Sequence, residues 1–475
     1  MAVVIAAPAS GSGKTLVSLT LLSWARQRGL SIQPFKVGPD YLDPQLLSSI
    51  SDRPCRNLDP TLCGSDWVQR AYQGYGGEAE LALVEGVMGL FDGVGSSEKG
   101  STAAVARLLD LPVVLVVDAG GQAASLGALV QGFHNHDKTL NLAGVVLNRV
   151  SSDRHRELLT EVLARQNIPL LGCLPRTDAL TLPSRHLGLA PAHELEQRHQ
   201  RREEWASLAE RHLNLDRLQP LLQAPASACS PLALIPSSTA ASLPVAVARD
   251  DAFHFRYRET EELLEHLGMP MLDWSPMDDE PIPGEAKGLI LPGGFPELHA
   301  ARLSQARRSL TSLATFVQQH PVYAECGGML LLGQELTDPE GIAHPMASVL
   351  PFTARKSALQ VGYRQLTPRR DGLLVRRNQP LTGHEFHRWE LQTNRPATDG
   401  SVLWDIKGWK VNPRSEGWGD QTLHASWVHL HWASCSTICC RWRDALEAAA
   451  MRSPTVSSQG RNPSGSTPSR SVGAG

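Results

Sequence analysis

Short apolar runs alternate with helical patterns from residue 3 to residue 175. Each run is continuously hydrophobic instead of alternating between apolar and polar positions, and this is typical of strands that are covered on both faces. The pattern therefore predicts a mostly parallel sheet with helices packed on it. The runs are residues 3–7, 81–85, 113–118 and 143–148, and a further short strand is predicted at residues 32–36.

The amino-acid composition changes twice in the middle of the chain. Residues 193–217 are highly charged, which favours a solvated helix. Residues 218–243 are rich in small residues and prolines without any periodicity, as expected of an interdomain linker. A second α/β unit with β-rich insertions is predicted beyond the linker. Its apolar runs are residues 244–248, 288–291 and 321–324, followed by a Trp- and His-rich section at residues 404–432.

The end of the chain has a composition that cannot form a core. Residues 453–475 are nearly all Ser, Gly, Pro, Arg and Thr, so they bury too little apolar surface to offset the entropy of ordering and are expected to be disordered.

From these patterns together we predict an α/β protein with two units. The predicted segments are an N-terminal unit at residues 1–217, a linker at 218–243, a C-terminal unit at 244–450 and a tail at 451–475.

Composition and charge exclude several classes of function. The chain has 475 residues with 45 Lys and Arg against 48 Asp and Glu, so it lacks the basic excess that a nucleic-acid partner requires. Its eight cysteines have no paired spacing, which indicates free thiols in a reducing compartment. No apolar stretch approaches the roughly 20 residues that cross a bilayer. We expect a cytoplasmic protein without membrane or nucleic-acid partners, and a homodimer is compatible with these features.

A glycine-rich loop between the first predicted strand and a helical pattern predicts a phosphate-binding site. Backbone N–H groups in such a loop surround phosphate oxygens, a lysine adds charge and a hydroxyl reaches Mg²⁺. Pro8 replaces the first glycine of the usual pattern, and a turn that only opens a helix is the alternative interpretation. The predicted ATP-binding residues are Ser10, Gly11, Ser12, Gly13, Lys14 and Thr15.

Carboxylates at the ends of two predicted strands are candidates for the same site. Asp40 follows the strand at 32–36, and Glu85 and Asp92 follow the strand at 81–85. Ligands bind beyond the carboxyl ends of parallel strands, so these groups should face the phosphates. Mg²⁺ prefers hard oxygen ligands, and we expect it at Thr15 and Glu85, with Asp40 as a further ligand. For an aspartate such as Asp43 taken alone, a turn or a helix cap is the more frequent role.

A cysteine in the second unit is the candidate nucleophile. Cys326 stands at a sharp strand-to-helix turn, which should expose its sulfur beside a helix N-terminus. Gly293 and Gly294 offer backbone N–H groups for an oxyanion hole, and His429 is the candidate base. Glutaminase triads of this kind read His-x-Glu, whereas His431 stands in the position of that glutamate. Either a dyad operates or another group orients the imidazole.

These motifs together resemble the cobyrinic acid a,c-diamide synthases over roughly residues 2–445. The resemblance rests on the variant phosphate loop, the Asp-Tyr-Leu-Asp box at residues 40–43, the box at residues 85–93 and the Glu-Cys-Gly-Gly turn at residues 325–328. Further matching segments are residues 147–150, 182–189, 248–255 and 383–387.

The resemblance implies a function and a fold. It implies a P-loop NTPase unit similar to dethiobiotin synthetase and a class I glutamine amidotransferase-like unit. ATP, Mg²⁺ and L-glutamine would amidate the a and c carboxylates of cobyrinate through acyl phosphates in cobalamin biosynthesis. The residues that it implies for binding the corrinoid are Tyr41, Leu42 and Asp92.

Two kinds of alternative remain open at this stage. Hydrogenobyrinate and nickel-sirohydrochlorin a,c-diamide synthases share these motifs, since the metal of the macrocycle need not touch the protein. A protein of another class, a P-loop ATPase switch with an inactive docking domain, would also contain a phosphate loop. The presence of Cys326, His429 and the Gly293-Gly294 turn in one chain favours the enzyme.

Overall fold

A computed structural model describes residues 2–176, 184–185, 188–189, 198–235, 237, 241–393 and 401–452. Of the predicted tail at residues 451–475, the first two residues end a helix and residues 453–475 lie outside the described residues, as do parts of the segments at 182–189 and 218–243. The described residues form two large sheets, each with helices packed against it. The α/β class predicted from the sequence is confirmed, while the segment boundaries stay a prediction.

The first sheet has seven strands, all parallel, in the order β3-β2-β4-β1-β5-β6-β7. Its central strands are buried on both faces, which is why their sequences are almost continuously apolar until the carboxylates at the ends of β4 and β5. The elements are β1 (Val3–Ala6), α1 (Lys14–Gln27), β2 (Ile32–Val37), α2 (Leu42–Ser51), β3 (Arg56–Leu58), α3 (Ser65–Gly76), β4 (Leu81–Glu85), α4 (Thr102–Leu109), β5 (Val113–Asp118), α5 (Ser125–His136), β6 (Leu142–Val150), α6 (Asp153–Ala164) and β7 (Leu170–Pro175).

Among the described residues between the two large sheets are two short strands and two helices. They are β8 (Ser184–Arg185), β9 (Gly188–Leu189), α7 (Arg198–His212) and α8 (Leu215–Leu218). The expectation of a solvated helix is wrong for one face of α7. Trp205, Ala206 and Ala209 are fully buried, and Trp205 and Ala209 belong to the core that also contains the apolar face of α1. The sequence did not indicate this buried face, because the apolar positions are few among the Arg and Glu residues of α7.

Part of the predicted linker lies against the first unit, while Ile235 and Ala241 accept hydrogen bonds from His266 and Arg443 of the second unit. It contains 3₁₀ turns at Gln219–Leu222 and Pro231–Leu234, and both Leu222 and Leu232 are buried. The backbone near Cys229 lies so close to Gly74 of α3 that a Cβ there would come within 2.9 Å of the Cys229 carbonyl oxygen. A proline-rich segment without periodicity can therefore still pack, through isolated leucines and close backbone approach.

The second sheet has eleven strands and combines two kinds of pairing. Strands β12, β10, β13, β15 and β22 are parallel neighbours, and the later strands extend the sheet with mainly antiparallel pairs, as the predicted β-rich insertions require. The elements are β10 (Val245–Ala248), β11 (Phe253–Phe255), α9 (Arg258–His266), β12 (Met271–Trp274), β13 (Gly288–Leu291), β14 (Gly293–Gly294), α10 (Ala300–Gln305), α11 (Arg307–Phe316), β15 (Val322–Glu325), α12 (Gly327–Leu330), β16 (Glu335–Thr337), β17 (Ala343–Pro345), β18 (Thr353–Pro368), β19 (Leu381–Gln392), β20 (Val402–Gly408), β21 (Val411–Gly419), β22 (Leu423–Ser426) and α13 (Ser436–Arg452).

Side chains from the two units meet at β3, the outermost strand of the first sheet, and just beyond its end. Arg56 donates two hydrogen bonds to Glu262, at 2.8 and 3.0 Å. The Tyr363 hydroxyl donates to Asp59 Oδ2 at 2.8 Å. These contacts place the second unit against the β3 side of the first sheet, whereas the phosphate loop follows the central strand β1.

Within the described part of the chain, we find no helix that combines the length and the hydropathy needed to cross a bilayer.

Candidate active site

The phosphate loop adopts a backbone conformation that requires its glycines. Gly11 and Gly13 have φ angles of 79° and 111°, which side chains disfavour. The Asn148 amide, at the end of β6, donates to the Ser12 carbonyl oxygen at 3.0 Å and leaves no room for a Cβ at Gly13. Asn148 therefore braces the loop. The sequence marked residues 147–150 only as a matching segment and gave this residue no role.

Lys14 points into the loop from the first turn of α1. Its Nζ donates to the carbonyl oxygens of Met88 at 2.5 Å and Ala9 at 3.5 Å. Burial and the nearby Lys36 lower the pKa of Lys14 to about 8. A bound phosphate would stabilise the charged ammonium, so the site is electrostatically suited to an anion.

Glu85 has the environment of a metal ligand. It is fully buried, and its Oε1 accepts hydrogen bonds from Thr15 Oγ1 and Lys36 Nζ, both at 2.9 Å. Its Oε2 has no hydrogen-bond partner among the described residues. Burial raises the pKa of Glu85 against the opposing effect of Lys36. An unsatisfied carboxylate oxygen beside a threonine hydroxyl fits a hard cation such as Mg²⁺.

The donor set for Mg²⁺ is small. No group of three or more His, Cys, Asp or Glu residues with metal-binding geometry occurs within the described ranges. Mg²⁺ in nucleotide sites commonly takes one or two carboxylates and fills its other positions with phosphate and water oxygens. Thr15 and Glu85 would therefore be enough as the protein's own ligands, and the Mg²⁺ site stays a prediction.

Asp40 and Asp43 make different contacts from those that the sequence predicted. Asp40 Oδ1 accepts from the backbone N–H groups of Leu42 and Asp43, at 2.9 and 3.3 Å, and so caps the start of α2. Burial, and then Asp43, raise the pKa of Asp40 to about 7. Asp43 instead faces the site, with its Oδ2 2.5 Å from Lys36 Nζ. Capping was the role expected for Asp43, and a metal role for Asp40 stays a prediction.

The three residues implied for substrate binding lie in different surroundings. Asp92 is exposed, and its Oδ2 accepts from Gly89 N–H at 2.8 Å in the loop that covers Lys14. Tyr41 and Leu42 are only 6% exposed and pack in an aromatic cluster shared with the second unit. The structure thus brings Asp92 to an open surface and buries Tyr41 and Leu42.

Cys326 occupies a strained turn between β15 and α12. Its φ of 48° and ψ of −114° are unusual for a residue with a side chain, and strain of this kind is concentrated at functional sites. Its N–H donates to the Ser426 carbonyl oxygen at 2.7 Å. The expectation of an exposed sulfur is wrong, because Cys326 is 3% exposed and its Sγ lies 3.6 Å from the Phe386 carbonyl oxygen on β19.

His429 is completely buried beside Cys326, and Glu325 supplies the carboxylate that its own segment lacks. His429 Nδ1 lies 3.1 Å from Glu325 Oε1, and Glu325 Oε2 accepts from the Tyr323 hydroxyl at 2.6 Å. Burial lowers the pKa of His429, but Glu325 and Cys326 outweigh it and raise that pKa to about 10. Glu325 was visible in the Glu-Cys-Gly-Gly turn, yet no spacing rule connected it with His429.

His431 does not orient His429. Its Nδ1 accepts from Ser434 N–H at 3.1 Å, its ring packs against Trp67 and Tyr257, and burial lowers its pKa to about 3. It acts as a neutral packing residue at the junction of the units.

Gly293 and Gly294 form β14 next to the imidazole. A Cβ at Gly293 would lie 2.5 Å from His429 Cε1, so only glycine permits this approach. Strand β19 covers the other side: His384 and His429 exchange backbone hydrogen bonds at 3.0 and 2.8 Å. The structure therefore brings Cys326, His429 and the two glycines together as the sequence predicted, and the oxyanion role of the glycines stays a prediction.

Comparison with known proteins gives consistent matches for both units. Residues 3–189 match the CobQ/CobB/MinD/ParA nucleotide binding domain, and residues 244–436 match the CobB/CobQ-like glutamine amidotransferase domain. The cobyrinate a,c-diamide synthase of Synechococcus sp. is 41% identical over 91% of this chain and 95% of its own length. The hydrogenobyrinate a,c-diamide synthase of Brucella anthropi is 43% identical over 81% of this chain and 88% of its own length.

Among solved structures, the chloroplast FtsY of Physcomitrella patens aligns with a TM-score of 0.27 and 15% identity. The alignment covers 36% of this chain and 57% of that one.

Proposed function

The chain belongs to the family of cobyrinate and hydrogenobyrinate a,c-diamide synthases, and on that basis we propose how its two units divide the reaction. It is an ATP-using, glutamine-dependent ligase that forms amides on the a and c carboxylates of a corrinoid in cobalamin biosynthesis. We propose cobyrinate as its substrate, in keeping with the Synechococcus relative and the matching motifs.

The second unit releases ammonia from glutamine. The Cys326 thiolate attacks the carboxamide carbon, and the N–H groups of Gly293 and Gly294 stabilise the oxyanion. His429 donates a proton to the departing nitrogen as the C–N bond breaks, which leaves a thioester on Cys326. Water, deprotonated by His429, then cleaves the thioester to give glutamate and free Cys326.

The first unit activates a carboxylate of the corrinoid. A carboxylate is a poor acyl donor because its leaving group would be oxide, so its oxygen attacks the γ-phosphorus of ATP and ADP leaves. Ammonia then attacks the acyl carbon, loses a proton and displaces phosphate. Each amide consumes one ATP and one glutamine.

The residues of the phosphate loop have distinct tasks in this scheme. The backbone of residues 10–13 surrounds the phosphates, and Lys14 balances the charge that develops during phosphoryl transfer. Thr15 and Glu85 would hold Mg²⁺, which supplies charge neutralisation at the phosphates. Lys36 keeps Asp43 and Glu85 in position through contacts of 2.5 and 2.9 Å.

The single observation that supports this assignment best is the Cys326–His429–Glu325 arrangement on a chain that also contains a braced phosphate loop. The test is Cys326→Ala, assayed by mass spectrometry of corrinoid products with ATP, Mg²⁺ and either glutamine or an ammonium salt. We expect glutamine-supported amidation to be lost and ammonia-supported amidation to continue. Cys173→Ala, a half-buried thiol on β7, is the matched control. Glutamine-supported amidation by Cys326→Ala would contradict the assignment.

Within the family, the remaining question is whether the macrocycle of the substrate contains cobalt. Parallel assays with cobyrinate and with hydrogenobyrinate, its cobalt-free counterpart, compare kcat/KM for the two. A higher value for hydrogenobyrinate would contradict our choice of substrate while leaving the ligase assignment intact.

A further inference from the structure

An exposed tryptophan of the second unit rests on a loop of the first unit. Trp409 stands in the two-residue turn that joins β20 to β21, and it is 57% exposed. A Cβ at Gly95 would lie 2.6 Å from Trp409 Nε1, so the pyrrole edge of the indole contacts the Gly95 backbone. Tryptophan is on average one of the more deeply buried residues, because its large apolar surface is unfavourable to hydrate. The open part of this ring is therefore a candidate surface for a ligand.

The loop that contains Gly95 also covers the phosphate site. It follows β4 and includes Met88, whose carbonyl oxygen accepts a hydrogen bond from Lys14 Nζ. The Met88 side chain is 44% exposed, and Asp92 in the same loop is exposed as well. Trp409 therefore belongs to the surroundings of the ligase centre, although it is a residue of the second unit.

The sheet face next to this turn is directed at the first unit and is partly open. Tyr363 on β18 reaches the first unit through its hydrogen bond to Asp59. Side chains alternate along a regular strand, so Val361 and Gln365 lie on the same face as Tyr363. Lys407 on β20 is the partner of Gln365 across the ladder and shares that face. Val361 is 51% exposed and Lys407 is exposed, so this face offers both apolar and basic groups.

The same region has an excess of positive charge. Lys410, in the turn, has its Nζ 4.9 Å from the centre of the adjacent indole ring. Lys407 and Lys410 are exposed, and so is Lys99 in the loop that contains Gly95. The carboxylate next to Lys99, on Glu98, is already bound to Arg107. An anionic ligand would find three exposed ammonium groups here.

We propose that Trp409 and Lys410 form part of the corrinoid-binding site, with the indole packed on a face of the macrocycle and Lys410 near carboxylates on its rim. The second unit then helps to select the substrate that the first unit amidates. The proposal rests on the proposed function, because it takes the corrinoid as the ligand of the ligase centre.

The chemistry of a corrinoid matches this surface better than a second copy of the chain does. Such a macrocycle is broad, with apolar faces and ionised carboxylates around its rim. An indole contacts an apolar face over a large area, and exposed lysines attract the carboxylates. In a symmetric dimer the same patch meets itself, which would bring the lysines of two copies together. Because Gly95 holds one edge of the indole, the ring is already positioned before the ligand binds.

The test measures KM for the corrinoid with an ammonium salt as nitrogen source, so that glutamine hydrolysis is not required. Full-length enzyme is assayed with ATP and Mg²⁺ while cobyrinate is varied, and products are quantified by mass spectrometry. Trp409→Ala should raise KM for cobyrinate about tenfold and leave KM for ATP unchanged. Trp409→Phe, which keeps a flat apolar ring, should raise it less. Lys410→Gln should raise it about threefold at low salt and by less at high salt.

The controls separate substrate binding from a structural role. Ile342→Ala removes another exposed apolar side chain, 58% exposed in the turn between β16 and β17, and should keep the wild-type KM. Glutamine hydrolysis should be unchanged in Trp409→Ala. If Trp409→Ala fails to fold, Trp409→Phe and Lys410→Gln decide.

Three results would overturn the proposal. The first is a wild-type KM for cobyrinate in the folded Trp409 variants. The second is an equal rise in KM for ATP, which would mean that the indole only holds the loop at Gly95. The third is a lower mass of Trp409→Ala in light scattering with KM unchanged, which would assign the residue to a dimer interface. A wild type that amidates no corrinoid with either nitrogen source overturns the proposed function instead.

Discussion

In the proposed glutaminase centre, the imidazole of His429 and the carboxylate of Glu325 are the pair expected to set the pH range of glutamine hydrolysis. The pKa of His429 is about 10, above the ordinary 6.5, because Glu325 and Cys326 favour the imidazolium against the effect of burial. The protonated form is therefore retained up to about pH 10 and lost above it.

Replacing Glu325 by Gln should remove the charge that holds this pKa up. Glu325→Gln is expected to move the alkaline limb of glutaminase kcat/KM to lower pH, by about one unit or more. Ammonia-supported amidation should not change, since the first unit performs it. Tyr323→Phe, which removes only the hydrogen bond to Glu325, should cause a smaller shift. An alkaline limb at the wild-type pH in Glu325→Gln would show that Glu325 does not orient the imidazole.

Glu85 allows a second prediction about a single residue. Its unsatisfied Oε2 would contact the metal, so Glu85→Gln should reduce amidation with either nitrogen source at least about 100-fold while glutamine hydrolysis continues. Steady-state assays of both activities measure this, with titration of Mg²⁺ to detect a raised requirement. Glu80→Gln, at an exposed carboxylate that binds Ser31, is the control. Full ATP-dependent activity in Glu85→Gln would exclude the metal role.

The conformation of the phosphate loop depends on a contact with another element, the hydrogen bond from the Asn148 amide to the Ser12 carbonyl oxygen. Gly13→Ala should abolish ATP binding, because the new Cβ would collide with the Asn148 amide in addition to the strain of a positive φ. Gly29→Ala is a matched control, since Gly29 also has a positive φ of 73° but open space around it. Isothermal titration with ATP compares them. Equal ATP affinities in the two variants would contradict the bracing role of Asn148.

A substitution in helix α7 measures how much the packing of one helix on another contributes to the free energy of unfolding. Trp205→Ala leaves a cavity where α7 lies on α1, and should destabilise the protein by about 3–5 kcal/mol. Glu204→Ala, on the exposed side of the same helix, should have little effect. Urea denaturation followed by far-ultraviolet circular dichroism measures both. A stable Trp205→Ala variant would mean that α7 contributes little to the first unit.

Across the full chain, the contact between the units should couple the two activities. Arg56→Leu leaves Glu262 without its bidentate partner and should reduce glutamine-supported amidation more than ammonia-supported amidation. Arg53→Leu, which breaks an ion pair within the first unit, is the control. Equal loss with both nitrogen sources would indicate a general loss of stability. Light scattering tests whether the protein forms the homodimer with which its sequence is compatible.

Local patterns along the chain were enough to predict the class of fold and most of the chemical groups. Continuous apolar runs predict buried parallel strands because both faces of such strands are covered, and a strand–loop–helix with Lys14 and Thr15 predicts a phosphate site from local chain geometry alone. Cys326, His429 and the glycine pair were predicted as candidates for the same reason, since their local segments contain the turn and the small residues that the chemistry needs.

Which of these groups contact one another depended on how the elements pack. Glu325 reaches His429 because β15 and β22 are neighbours in the sheet, although about a hundred residues separate them in the chain. Asp43 rather than Asp40 meets Lys36 because the first turn of α2 fixes the direction of each side chain. Tyr41 reaches the second unit for a similar reason. Contacts between distant segments arise only when the sheets and helices assemble, and a single sequence carries no local signal for them.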